Sequence, residues 1–394
     1  MIIGSVGRSL AAAMLLAAAG SLQAQEAATR DLGRVVVRND SDLARRGEVV
    51  EIDISGLGAG LKAEDLARIH VADAAGRDLL VQPIDLTGDH DDDAIAFQAD
   101  VAPRGSSTYR LSLGTRRTFE QKDFRVYGRF VRERFDDFAW ENDKVAFRMY
   151  GEALETWVKE PLTSSSVDAW VKKTTRLTVD DWYLVDDYHK DHGEGGDFYS
   201  AGKTRGCGGT GLLSGGRLFT SKNFRRSRVL SRGPIRLIFE LDYDAWDVAG
   251  TLVRETKRVT LDAGSNFSRF ESRYATAAGE ALPAAILLAA GTKKEKGADV
   301  RVDAARGIVR TWEELNRYGK DGWMGCAVIV DPARVDSTPE LDGNVLLAFR
   351  APAVHYAGTG WDRSGDFKGV GDFDAHVDAF AARSATPLKI EVVR

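Results

Sequence analysis

Seven of the chain's forty glycines, two of its six histidines and one of its two cysteines fall in 22 residues, Tyr188 to Gly209, YHKDHGEGGDFYSAGKTRGCGG. Interleaved with those glycines are Tyr188, His189, His192, Glu194, Asp197, Tyr199 and Arg205, a set able to move protons, ligate a metal or hold an anion. His189 and His192 stand three apart with Glu194 and Asp197 beyond. A tight turn could therefore bring two imidazoles and a carboxylate onto one divalent ion, zinc or calcium. The spacing is not the helical HExxH pattern, so it requires no cofactor. The same groups suit acid–base work without a metal. His189 or His192 can accept a proton near neutrality, and Tyr188 or Tyr199 can give one to a departing oxygen. Glycine is expensive inside strands and helices, so so many in one segment predict tight turns or close approach by another group.

Abstraction of a proton next to a carboxylate also needs a partner for the charge that develops, and Arg205 or the amide of Asn142 could supply it. β-Elimination on a uronic acid uses these three roles and no nucleophile. Glycoside hydrolysis instead needs two carboxylates across the scissile bond, for which Asp143, Glu194 and Asp197 are the candidates. The segment FAWENDKVAFRMYG, residues 138 to 151, sets Trp140, Asn142 and Asp143 at the mouth of an alternating strand. The segment HYAGTGWDRSGDF, residues 355 to 367, adds His355 and Trp361 among glycines. Flat aromatic faces beside polar groups suit sugar rings, although a turn or a packed core would use the same residues.

The elements that must position these groups read as strands. Six short runs between 31 and 115, among them VVEIDI and TYRLSL with period-two alternation, predict a small β-sandwich over 25–118. The acidic loop Asp85 to Asp93 lacks calcium-loop spacing and its terminal Glu, and reads as a solvated turn. From 119 to 394 the runs are longer, including RSRVLSRGPIRLIFELDYDAW and TLVRETKRVTLDAG, with polar residues at alternate positions. That pattern predicts a large antiparallel β-supersandwich whose polar concave face holds an extended ligand. One helix is predicted after the leader, Asp372 to Ala382, with Val377 and Phe380 at apolar spacing. No βαβ rhythm occurs, so the predicted fold class is all-β with few helices.

Arg8, the apolar run Ser9 to Gly20 and the following LQAQEA predict a signal peptide over 1–24 and a periplasmic or secreted protein. Cys207 and Cys326 could pair in an oxidising compartment or remain free buried thiols. The net charge of −5 gives no footprint for nucleic acid, and no later apolar stretch is long enough to span a membrane. The run Gly208-Gly209-Thr210-Gly211 lacks a Walker lysine, and neither a GxSxG elbow nor a CxxC pair is present. The expected partner is an acidic polysaccharide or oligosaccharide.

The blocks WENDKVAFRMYG and YHKDHGEGGDFYSAGKTRGCGG, with the late tryptophan and helix region, resemble the DUF4861 family from about residue 120 onward. The WEND strand also resembles the opening of the supersandwich in galactose-mutarotase-like proteins and several polysaccharide lyases and hydrolases. That resemblance implies carbohydrate bound in a cleft on the concave sheet. The expected function is an exported lyase acting on uronic-acid-containing glycans, the alternatives being a carboxylate-pair hydrolase and a non-catalytic glycan-binding protein.

Overall fold

Burial alternates along the first strand, Arg30–Arg38, where Val35 and Val37 are fully buried while Arg34 and Arg38 face solvent. The same period of two repeats through Arg45–Asp53 and Ser106–Leu113, as one-sided packing of a sheet demands. The computed structural model describes residues 29–58, 60–158, 161–185 and 187–394. The leader read at 1–24 lies outside the described residues. All six predicted early strand runs contribute strands. Arg30–Arg38, Ser106–Leu113 and Ile69–Ala72 form one sheet, and Arg45–Asp53, Ala94–Val101 and Val81–Ile84 form the other. Val35, Val37, Val50, Ile95, Phe97 and Leu111 fill the space between them. The strand Lys389–Val393 joins this sandwich, pairing antiparallel with Arg30–Arg38. Sequence placed it with the large domain, because a strand pattern does not reveal its partner.

The larger part contains three antiparallel sheets around one core. A five-stranded sheet runs in the order Gly195–Gly196, Asp168–Lys172, Val145–Met149, Asp137–Asn142 and Val126–Val131. A six-stranded sheet is built on Cys207–Ser214, Leu287–Lys293 and Asn344–Phe349. An eight-stranded sheet is built on the long strands Arg236–Val248, Thr251–Asp262 and Phe267–Thr276, continued by Val354–Trp361 and Trp323–Ile329. The architecture is all-β, a small sandwich followed by a larger β-supersandwich, as the strand patterns predict.

The predicted late helix is present and longer, Val370–Ala385, with Phe373 and Val377 buried against Ile308, Trp312 and Ile329. A second helix, Val179–Val185, lies in the segment DDWYLV. Its first turn is held by Glu141, whose carboxylate accepts the amides of Thr178 and Val179, each at 2.7 Å. A partner 37 residues away satisfies the orphan donors, a cap that no local pattern announces. The acidic loop is a self-contained turn. Asp85 accepts the amides of Thr87, Gly88 and His90, and Asp93 accepts that of Leu86. Among the described residues no helix is long and apolar enough to cross a membrane.

Cys207 and Cys326 form a disulfide with a Cα separation of 5.4 Å, tying the six-stranded sheet to the eight-stranded one across 119 residues. Closing so long a loop restricts the unfolded chain, so its reduction is expected to cost ~3 kcal/mol. Urea unfolding with and without reductant checks this, and coincident midpoints would refute it.

Candidate acid–base site

The strands Asp137–Asn142, Val145–Met149 and Asp168–Lys172 divide their side chains between two faces. Phe138, Trp140, Val145, Phe147, Met149, Ala169 and Val171 enter the main core. The opposite face carries Asp137, Glu141, Arg148, Asp168, Trp170 and Lys172, and all six are buried. The helix Val179–Val185 and the segment from Tyr188 to Phe198 cover it. Two glycines make that cover possible. A Cβ on Gly195, at φ +111°, would lie 2.0 Å from the Val171 carbonyl, and one on Gly196 would lie 2.6 Å from the Tyr188 carbonyl.

Arg148 lies at the centre of the covered face. Its guanidinium lies 2.9 Å from Asp168, 2.8 Å from Asp197 and 3.5 Å from Asp137. The Tyr150 hydroxyl donates to Asp168 at 2.8 Å and that of Tyr183 to Asp137 at 3.3 Å. The rings of Tyr150, Trp170 and Tyr188 stand 5.4 to 5.6 Å from the guanidinium carbon. One cation thus meets three carboxylates, and each carboxylate keeps its Oδ1 buried without a hydrogen-bond partner among the described residues. Burial outweighs the attraction of Arg148, pushing Asp137 up to about 7 and Asp197 well above the usual carboxylate range. The cluster therefore retains a proton near neutrality. Beside it Lys172 and Glu141 form a fully buried pair at 2.5 Å.

His189 connects this cluster to solvent. Its side chain is 35 % exposed, and Nδ1 lies 2.8 Å from the Asp197 backbone oxygen and 3.7 Å from its carboxylate. A carbonyl only accepts, so Nδ1 carries the proton and Nε2 presents a lone pair. Burial lowers the imidazole pKa, so the ring is neutral at pH 7. It stacks on Tyr318 at 4.2 Å, and Arg317 sits over the same tyrosine at 5.4 Å while bonding the Ser200 hydroxyl.

The sequence matches the family described as "Domain of unknown function (DUF4861)" over residues 37–390. The chain belongs to that family. This DUF4861 protein is similar to "Uncharacterized protein P7" of Formosa agariphila, 31% identical over 381 residues covering 91% of this chain and 93% of the relative. Among solved structures it is similar to an alpha-mannosidase of Enterococcus faecalis, at 12% identity and a TM-score of 0.46. It is also similar to a glycosyl hydrolase family 38 protein of the same organism, at 12% identity and a TM-score of 0.47. Each alignment covers 92% of this chain but spans about half of the solved chain, 46% and 47%.

Of the residues singled out in sequence, the DUF4861 fold brings together Tyr188, His189 and Asp197. The four proposed metal ligands do not converge, because each is engaged separately. His189 bonds the Asp197 carbonyl, His192 lies 3.4 Å from Asp187, Glu194 pairs with Arg176 at 2.8 Å, and Asp197 holds Arg148. Among the described residues no group of three His, Cys, Asp or Glu side chains is placed to hold a metal. The Glu194 carboxyl is held below its ordinary range by its bond to Arg176, so it stays ionised. Tyr199 is buried elsewhere, with the Lys293 ammonium 4.5 Å from its ring.

The proposed substrate-binding residues are spent on packing. Trp140 is fully buried and donates to Ser268 at 3.1 Å, so it offers no face to a sugar. The Asn142 amide donates to the carbonyls of Asp262 and Ser265, and Asp143 accepts from Arg125 and the Gly264 amide. Arg205 is buried with Ser165 and the Thr210 carbonyl, and Trp361 is buried with its indole on the Asp321 carbonyl.

His355 is buried, stacked on Phe270 at 4.8 Å and bonded to the Gly208 carbonyl at 2.9 Å. Burial lowers its pKa to about 3, against a model-peptide value near 6.5. Its contribution to stability is therefore complete above about 6.5 and lost as pH falls toward 3. Urea midpoints measured across that window should fall less steeply in His355→Gln than in the parent chain. Parallel slopes would contradict this.

Arg148, Asp137, Asp168, Arg317 and Tyr318 were not singled out in sequence. Only cross-strand register, which sets Asp168 directly opposite Arg148, could have signalled the first three.

Proposed function

We propose that this chain is an exported carbohydrate-active enzyme that cleaves a uronic-acid-containing polysaccharide or oligosaccharide by β-elimination. The observation that carries it is His189, a partly exposed imidazole kept neutral by burial, with its tautomer fixed by the Asp197 carbonyl and Nε2 open. A neutral imidazole so oriented is suited to take the proton α to a sugar carboxylate. Arg317 lies over the Tyr318 ring on which His189 stacks and has no acidic partner among the described residues, so it suits that carboxylate and the charge that develops on it. The proton-retaining Asp197 cluster lies directly behind and braces the ring. Tyr188, whose pKa is raised by burial, remains a protonated neighbour at a ring separation of 4.7 Å. The resemblance to the galactose-mutarotase-like supersandwich supports a carbohydrate ligand, although a fold alone does not choose the reaction. Export is supported by the leader-like N-terminus and by the disulfide.

One observation favours hydrolysis as a second reading. Asp137, whose pKa burial raises to about 7, and Asp168 flank one guanidinium, two carboxyl groups in one cluster as hydrolysis requires. Both are sealed under the Tyr188–Phe198 cover, which would have to open for a sugar to reach them. Incubation with a panel of acidic glycans separates the two. Ultraviolet absorbance of an unsaturated uronate is the expected result. New reducing ends without that absorbance would replace elimination by hydrolysis, and binding without products would leave a glycan-binding protein.

A further inference from the structure

A cavity of about 520 Å³ lies where the small sandwich, the turn Asp262 to Asn266 and the last helix meet. One face of the helix Val370–Ala385 lines it with His376, Phe380 and Arg383, spaced four and then three residues apart. Arg46 and Arg125 approach from the other side. The helix end is pinned by the buried Arg45, which donates to the carbonyls of Arg383 and Thr386. The aromatic wall is equally fixed, since Phe380 stacks on Phe267 at 4.2 Å and meets Tyr356 edge-on at 5.3 Å.

The acidic side chains in this wall are already committed. Glu48 holds Arg45 at 2.8 Å, and Asp262 holds Arg236 through two bonds. Arg125 is committed too, to Asp143. Arg46 and Arg383 have no carboxylate within ion-pair distance among the described residues, and the Arg383 guanidinium lies 5.8 Å from the centre of the Phe380 ring. His376 Nε2 is buried with no hydrogen-bond partner among the described residues. A fixed aromatic wall, uncommitted guanidinium groups and an unsatisfied ring nitrogen in one cavity together suit a ligand that is anionic at one end and flat and apolar along its ring.

We propose that this cavity is a second, non-catalytic binding site for a uronic-acid residue, with the carboxylate on Arg383 and the sugar ring against Phe380 and Tyr356. It stands apart from His189 and holds whether or not the elimination chemistry does. Isothermal titration with D-glucuronate, and with D-glucose and inorganic sulfate for comparison, tests it. Glucuronate should bind the parent chain, and more tightly than either comparison compound. Arg383→Met should weaken it by ~10-fold or more, the loss of a charge-assisted pair. Ala44→Trp, at an exposed position on the cavity wall, should block it without disturbing the core. His189→Ala should bind as the parent does, which separates this site from the proposed reaction centre. No glucuronate binding in the parent, unchanged binding in folded Arg383→Met or in Ala44→Trp, or equal binding of sulfate would overturn the proposal.

Discussion

Arg148→Met is expected to destabilise the protein by about 5 kcal/mol or more, at the upper end of what removing one partner from a buried ion pair costs. The guanidinium is the only cation in hydrogen-bond contact with Asp137, Asp168 and Asp197 among the described residues, and all four side chains are buried. Arg148 opposes the burial that raises Asp137 and Asp197. Without it the folded pKa values of those two carboxyl groups rise further above the unfolded ones, so the variant's stability is lost as pH increases. Urea unfolding at pH 5 and pH 8 should show the larger deficit at pH 8. Equal deficits at both would mean that the carboxylates are neutralised by something other than Arg148.

His189→Ala is expected to lower kcat for glycan cleavage by ~10²–10⁴, the usual worth of a positioned general base. Its stability should stay near that of the parent, because the ring is partly exposed and makes a single backbone hydrogen bond. Since burial lowers the imidazole pKa, kcat/KM of the parent should rise with pH with its inflection below about 6.5. A variant that folds and retains parental turnover would remove His189 from the mechanism. Arg317→Met should mainly raise KM for acidic glycans, which distinguishes a substrate-binding cation from the proton acceptor.

The fold was legible where a local pattern carries the information. Alternation in VVEIDI marked a strand with one wet face, and its Val50 and Ile52 are buried; the apolar spacing of the final helix marked Val377, which is buried too. It was not legible where partners are remote, as with Glu141 capping a helix or Lys389–Val393 finding Arg30–Arg38. The site divides the same way. Glycine density and residue type pointed to Tyr188, His189 and Asp197. Asp137, Arg148 and Asp168 looked like the wet positions of half-exposed strands, because alternation shows that a face differs from its neighbour without showing what covers it. Trp140 and Trp361 failed for the converse reason, as tryptophan in a polar setting suits a core as well as a sugar. Tyr318, with Arg317 over its ring, meets His189 across two loops, and loop-to-loop approach leaves no periodic trace.

The pairing of Arg30–Arg38 with Lys389–Val393 also imposes an order of events on synthesis. Among the described strands, one of the earliest to be translated must wait for the last before its sheet is closed. Until then it presents an unpaired edge next to the nascent chain, the kind of surface that invites pairing with another molecule. The two cysteines are both made before that final strand, so the larger assembly can be cross-linked while the smaller one still has an open edge.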